Sequence, residues 1–177
     1  MADALPPPLE GITVVDLGGS VATAVCGRLF ADFGARVIDV EPPAGHATRR
    51  LPPFAPASEG GESGLHALLS PNKESAVAAS EAEALRWVAH ADVVLDCGQP
   101  RIPLARIRTA APHAIVGALS WHGLTGPLAE QPGSDATICA QIGWVKSIGE
   151  PGRAPRIPSG YPASLLGGVT AFAALCA

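Results

Sequence analysis

The side chains that could do chemistry in this chain stand where short apolar runs end. Carboxylates close or follow the runs GITVVDL, ARVIDVE and DVVLDCG, at Asp16, Asp39, Glu41 and Asp96. Paired carboxylates at strand ends can serve as general acid and base. Carboxylates at such positions more often cap helices or face solvent. The positions alone leave both interpretations open.

Two histidines and three cations accompany these carboxylates in segments rich in Gly and Pro. They are His46, His122, Arg49, Arg50 and Lys73. An imidazole there can act as a general base, and the cations suit a phosphate-bearing cofactor. Structural histidines and solvated loop charges explain the same residues equally simply. Cys97 ends an apolar strand, where a thiol is usually inert.

Ser164 lies in the stretch GYPASLLGGVTAF (160–172), just before two glycines and an apolar helical run. It can be a nucleophile, a helix N-cap, or a substitute for a group that once reacted. A serine nucleophile needs a base within hydrogen-bond reach. The segment around Ser164 contains no histidine, so only a tertiary contact could supply one.

Alternating patterns predict the elements that position these side chains. Strands are predicted over 11–17, 35–41, 92–98 and 113–123, and helices over 18–34, 80–91, 101–112, 135–149 and from about 163 to the end. Ser80 and Glu83 predict a capping box, and residues 42–64 a long irregular loop. The alternation predicts an α/β fold whose parallel sheet carries helices on both faces, with ligands at the carboxyl ends of its strands.

Composition narrows the class of protein. The chain has 177 residues, 47% of them hydrophobic and 16% charged, with a net charge of −4. These values indicate a globular domain and give no basic patch for nucleic acid. The four cysteines are widely separated, so the spacing predicts neither a metal site nor a disulfide framework. No apolar stretch is long enough for a membrane span, and the first residues do not resemble a secretory signal, so a cytoplasmic location is expected.

Several stretches together resemble CoA-transferase family III. The family opens with P-L-x-G-x-x-V-L-D-L and continues with A-D-x-G-A-x-V-I-K-V-E-P-P and a loop ending T-R; this chain has PLEGITVVDL, ADFGARVIDVEPP and ATR. PNKESA (71–76), ADVVLDCGQP (91–100) and SWHGLTGPLAEQPGSD (120–135) resemble later family segments, in the expected order. The likeness covers nearly the whole chain.

The resemblance implies a Rossmann-like large domain, of which residues 1–177 would be the first part. The apolar C-terminal helix without a stop signal agrees with an incomplete domain. Family members form interlocked dimers, so a homodimer or a heterodimer with a homologous copy is expected. Acyl-CoA would be bound as a thioester and no metal would be needed. The implied CoA contacts are Ser20, Ala22, Lys73, Cys97 and Arg106.

The family nucleophile is an aspartate just before the last helix, which forms a mixed anhydride and then a CoA thioester. Ser164 stands at that position in this chain. The racemase branch adds a histidine where this chain has Ser134. The resemblance therefore implies a degenerate active site that still binds acyl-CoA.

Two hypotheses follow, and a third is weak. The chain either binds CoA thioesters for transfer beside a copy that carries the aspartate, or it is an inactive structural or regulatory subunit. An NAD-binding Rossmann domain is disfavoured because DLGGSVA (16–22) lacks the G-x-G-x-x-G spacing.

Overall fold

A parallel sheet of five strands lies at the centre of the fold, in the order β3-β2-β1-β4-β5. The computed structural model describes residues 5–55, 61–97 and 102–177. The strands are β1 (Thr13–Asp16), β2 (Arg36–Glu41), β3 (Lys73–Val77), β4 (Val93–Asp96) and β5 (Ile115–Ala118). Every neighbouring pair is parallel, so all carboxyl ends meet at one edge. The predicted α/β class is confirmed.

Helices cover both faces of this sheet. They are α1 (Val21–Asp32), α2 (Gly64–Leu69), α3 (Glu81–Val88), α4 (Leu104–Ala110), α5 (Asp135–Gln141), α6 (Trp144–Ser147) and α7 (Pro162–Leu175), with a 3-10 turn at Ala47–Arg50. Successive strand residues point to opposite faces, as the pleat requires. Val14 packs towards α1 and α7, whereas Val15 packs towards α3 and α4. Within the described ranges, no helix is long and apolar enough to cross a membrane.

Three local predictions differ from the structure. β3 is absent from the predicted strands because KESAV has no apolar alternation: it is an edge strand that pairs only with β2. The helix predicted over 135–149 is two helices, since Gly143 adopts a left-handed φ of 76° that ends the first. At α3, Ser80 caps Glu83 as predicted, but the Glu83 carboxylate accepts the amide of Ala79 rather than that of Ser80.

The site is positioned by a close contact between α1 and α7. A Cβ added at Gly168 would lie 2.5 Å from the Ala22 carbonyl oxygen and 2.6 Å from the Val25 Cβ. Near the other end of α7, Phe172 packs edge-on against Phe30 with ring centroids 5.0 Å apart. Gly168 therefore lets α7 seat against α1 without a gap.

The neighbouring glycine, Gly167, provides a matched test of this contact. A Cβ there would meet only the Ala22 Cβ, at 4.0 Å, which is ordinary contact. We expect Gly168→Ala to destabilise the fold by about 1–3 kcal/mol through overpacking. Gly167→Ala should instead stabilise it by about 0.5–1 kcal/mol through helix propensity. Urea unfolding of both variants measures the change in the free energy of unfolding. Equal changes in the two variants would contradict the packing argument.

Candidate functional site

A cavity of about 590 Å³ opens at the carboxyl edge of the sheet, beside the first turns of α1 and along α7. Loops that follow β4 and β5 complete its wall. Its lining residues are small or apolar, with a few hydroxyls and one thiol: Ser20, Ala22, Cys97, Ala118, Leu119, Ser120, Trp121, Gly123, Ala163, Ser164, Leu166, Gly167, Thr170, Ala171 and Ala174. Its size and place are typical of ligand sites in parallel α/β folds.

Ser20 opens α1 at the rim of this cavity. Its hydroxyl accepts the Thr23 amide at 3.1 Å, and the Thr23 hydroxyl accepts the Ser20 amide at 3.2 Å. This reciprocal pair satisfies two donors that a helix start otherwise leaves unpaired. The preceding turn is held by Asp16, whose carboxylate accepts the Gly18 amide at 2.8 Å. The α1 entrance is thus rigidly placed against the end of β1.

Ser164 is held by a carboxylate from a distant helix. Its amide donates to Asp135 Oδ1 at 2.8 Å and its hydroxyl donates to Asp135 Oδ2 at 2.9 Å. Tyr161, the N-cap of α7, makes no side-chain capping bond, so Asp135 supplies the acceptor from outside. Ser164 is the third residue of α7, and the expectation that it is the N-cap is wrong. We name this two-bond contact the Ser164–Asp135 clamp.

A buried charge cluster lies under the same edge. Lys73 Nζ is 3.4 Å from Asp39 Oδ1, and the two side chains are only 2% and 8% exposed. Burial, then the nearby Asp16 charge, raises the pKa of Asp39 to about 6 against the partial opposition of Lys73. Burial also raises the pKa of Asp16, while Lys73 and the Gly18 amide act to lower it. The alternative that these strand-end carboxylates face solvent is wrong.

Glu41 ends β2 as the acceptor of a dense hydrogen-bond set. Arg49 donates to both of its oxygens at 2.6 Å, Ser75 donates its hydroxyl at 2.6 Å, and His46 donates its amide at 2.9 Å. The hydrogen bonds from Arg49 hold the pKa of Glu41 well below its usual range, with Ser75 and His46 adding to the effect. Arg49 therefore fixes the loop after β2.

The structure brings together four of the seven residues proposed for the site. Ser20, Ala22, Cys97 and Ser164 line the one cavity. The others lie outside its lining: Lys73 is buried against Asp39, Arg106 pairs with Glu81 at 2.7 Å, and Ser134 caps α5. Their roles stay predictions.

Sequence reasoning missed Asp135 as a member of the site. Its position in GSD (133–135), directly after the α5 cap, marks it only as a first-turn acid. The contact with Ser164 spans 29 residues of sequence and depends on how α5 packs against α7. Only the tertiary structure shows it.

Comparison with known proteins identifies the family and the fold of this chain. The family model for CoA-transferase family III matches residues 9–177. A crystal structure of a CAIB/BAIF family protein from Brucella suis superposes with a TM-score of 0.85 at 30% identity, covering 97% of this chain and 49% of that one. The chain belongs to CoA-transferase family III.

Curated relatives give the same result. The succinate–glutarate CoA-transferase of Agrobacterium fabrum is 32% identical over an alignment that covers 96% of this chain and 46% of that protein. The probable fatty acyl-CoA transferase Rv3272 of Mycobacterium tuberculosis is 30% identical, over 85% of this chain and 41% of that protein. The chain spans less than half the length of these relatives.

The charge cluster predicts how stability depends on pH. A carboxyl whose folded pKa lies above its unfolded value of about 3.9 binds its proton more tightly in the folded state. Its contribution to stability therefore increases as the pH falls from 7 through 6 towards 4. The Asn side chain in Asp39→Asn is neutral at every pH. The urea midpoint of this variant should therefore change less with pH between 7 and 4 than that of the wild type. Parallel curves for variant and wild type would contradict the raised pKa of Asp39.

The clamp predicts an incompatibility between position 164 and Asp135. Ser164→Asp would place a second carboxylate beside that of Asp135, whereas Ser164→Asn has nearly the same size and no charge. At pH 7 the aspartate variant should be less stable than the asparagine variant by roughly 1–3 kcal/mol. The gap should narrow at acidic pH, because protonation of either carboxyl removes the repulsion between the two charges. Thermal unfolding of the pair at both pH values measures it, and a gap independent of pH would count against the clamp.

Proposed function

We propose that this chain binds acyl-CoA thioesters in the cavity at the carboxyl edge of its sheet, as part of CoA transfer between carboxylic acids. The observation that carries the proposal is the convergence of Ser20, Ala22, Cys97 and Ser164 on that cavity. These positions match the CoA-binding and nucleophile segments of the family that the sequence resembles. The A. fabrum relative, named as a succinate–glutarate CoA-transferase, supports the reaction class.

The chemistry at position 164 departs from that of the family. A carboxylate nucleophile attacks the thioester and carries the acyl group as an anhydride, but Ser164 offers a hydroxyl. That hydroxyl donates its hydrogen to Asp135, so its proton is shared with a carboxylate that also accepts the Ser164 amide. Both oxygens of Asp135 are occupied by hydrogen bonds from residue 164, which is the geometry of a helix anchor. We propose that Ser164 anchors the start of α7 and that the family nucleophile is missing.

Transfer by this chain then requires a carboxylate from elsewhere. A second identical copy lacks the same aspartate, so a homologous copy that carries it is the partner that completes the reaction. Residues 1–177 then form the first part of a large domain. The protein acts in the cytoplasm as a dimer, as expected from the sequence.

The second candidate is an inactive structural or regulatory subunit that pairs with an active homologous copy. The observation in its favour is the clamp, because both oxygens of Asp135 and the Ser164 hydroxyl are committed to holding two helices together. Under this candidate the fold persists while the cavity has lost its ligand. Binding of CoA separates the two candidates.

The deciding measurement is a calorimetric titration of the full chain with coenzyme A. We expect saturable binding with a dissociation constant in the micromolar range. Ala22→Phe should abolish it, because Ala22 lines the cavity at the second position of α1. Ala82→Phe is the matched control, since Ala82 is exposed at the second position of α3.

Each outcome decides a different point. Loss of binding in Ala22→Phe but not in Ala82→Phe supports the cavity as the CoA site. Equal binding in both would place the site elsewhere. No saturable binding by the wild-type chain would contradict the acyl-CoA proposal and favour the inactive subunit. A transfer activity that disappears in Ser164→Ala would contradict the anchoring role of Ser164.

A further inference from the structure

We propose that the cavity receives an uncharged, medium-length acyl chain, and that Gly167 sets the depth available to it. This inference rests on the acyl-CoA binding proposed above and names the acyl class of that site. It concerns which thioesters bind, a property that varies among the family members matched here, whose names include succinate, glutarate and fatty acyl groups.

The cavity follows one face of α7. Lining residues recur at helical spacing from Ala163 through Leu166, Gly167, Thr170 and Ala171 to Ala174. At 1.5 Å per residue this face is roughly 16 Å long. Alanine and glycine predominate along it, so the helix presents a shallow channel rather than a set of packed side chains. A channel of this length, lined mainly by small and apolar residues, suits an extended alkyl chain.

The electrostatics of the lining disfavour a second carboxylate. Of the described residues that line the cavity, none carries a charge. A dicarboxylic acyl group would leave its distal carboxylate without a cationic partner, and burying an unpaired charge is strongly unfavourable. The carboxylate of Asp135 lies directly behind Ser164 and would repel that distal carboxylate. A terminal methyl group meets neither penalty.

Gly167 determines how much of the channel is open. A Cβ at this position would touch only the Ala22 Cβ, at 4.0 Å, so a larger side chain has room to extend into the cavity. The adjacent Gly168 has no such freedom, because its position is filled by α1. Gly167 is therefore a specificity-determining position, and its lack of a side chain leaves space for substrate.

The test is a calorimetric series on the full chain with CoA and with acetyl-, butyryl-, hexanoyl-, octanoyl- and glutaryl-CoA. Each added methylene should tighten binding about twofold to fourfold while the chain stays within the channel. Glutaryl-CoA should bind at least about tenfold more weakly than hexanoyl-CoA, which has similar length and ends in a methyl group.

Gly167→Leu should remove the advantage of octanoyl-CoA over acetyl-CoA, because the leucine side chain would occupy the space that the longer acyl chain needs. Val169→Leu, at an exposed position of the same helix outside the cavity lining, is the control that should keep the series unchanged. Gly167→Ala provides a milder variant if the leucine variant does not fold, as judged by circular dichroism. It should shorten the preferred chain rather than abolish the preference.

The outcomes separate the two proposals. CoA binding with an affinity independent of chain length, or with glutaryl-CoA favoured over hexanoyl-CoA, overturns the acyl-chain inference and leaves the proposed function intact. An unchanged series in Gly167→Leu overturns the role of Gly167. Failure of CoA and of every thioester to bind contradicts the proposed function and this inference together.

Discussion

The close packing of α7 on α1 at Gly168 is the constraint on which the site depends. Because no side chain separates the two helices there, the start of α7 is brought beside the start of α1. The first turn of each helix then faces the carboxyl edge of the sheet, and the space between them becomes the cavity. The same contact joins α7 to the apolar cluster around Phe30. The same helix contact thus contributes to the hydrophobic core and sets the geometry of the site.

Two carboxylates under that edge are buried rather than solvated, and each has a specific partner. Glu41 is held by Arg49 and Ser75, and Asp39 by Lys73. Removing charges from water is costly unless close partners compensate, so such groups fix the loops they hold in one conformation. The cavity is accordingly framed by backbone that has few alternative positions.

The sequence predicts much of this fold because its signals are local. Residue type and spacing predict the apolar strands β1, β2 and β4 and the Ser80 cap of α3. Edge strand β3 escapes prediction, since half-exposed polar residues carry no alternation. The burial of Lys73 against Asp39 also escapes it, because loop position suggests exposure. Pairing across the sheet decides that burial, and pairing is not encoded in any short segment.

Some residues of the candidate site can likewise be predicted from the sequence, and others cannot. The family resemblance implies Ser20, Ala22 and Cys97 as site residues, and all three line the cavity. The partner of Ser164 cannot be predicted in this way, because Asp135 lies 29 residues away in sequence and meets α7 only through tertiary packing. Family resemblance draws attention to position 164, but only the packed structure shows that a carboxylate already occupies the space beside it.

The clamp also affects how far the segment between Asp135 and Ser164 can change in length and composition. Asp135 and Ser164 fix both ends of a segment that contains α5, α6 and the exposed, proline-rich residues 150–160. Since the entropy of closing a loop grows only with the logarithm of its length, residues inserted among 150–160 would weaken this closure very little. That stretch can therefore change in length and composition between relatives while α7 keeps its position. The clamp therefore holds the start of α7 in place while residues 150–160 tolerate insertions and substitutions.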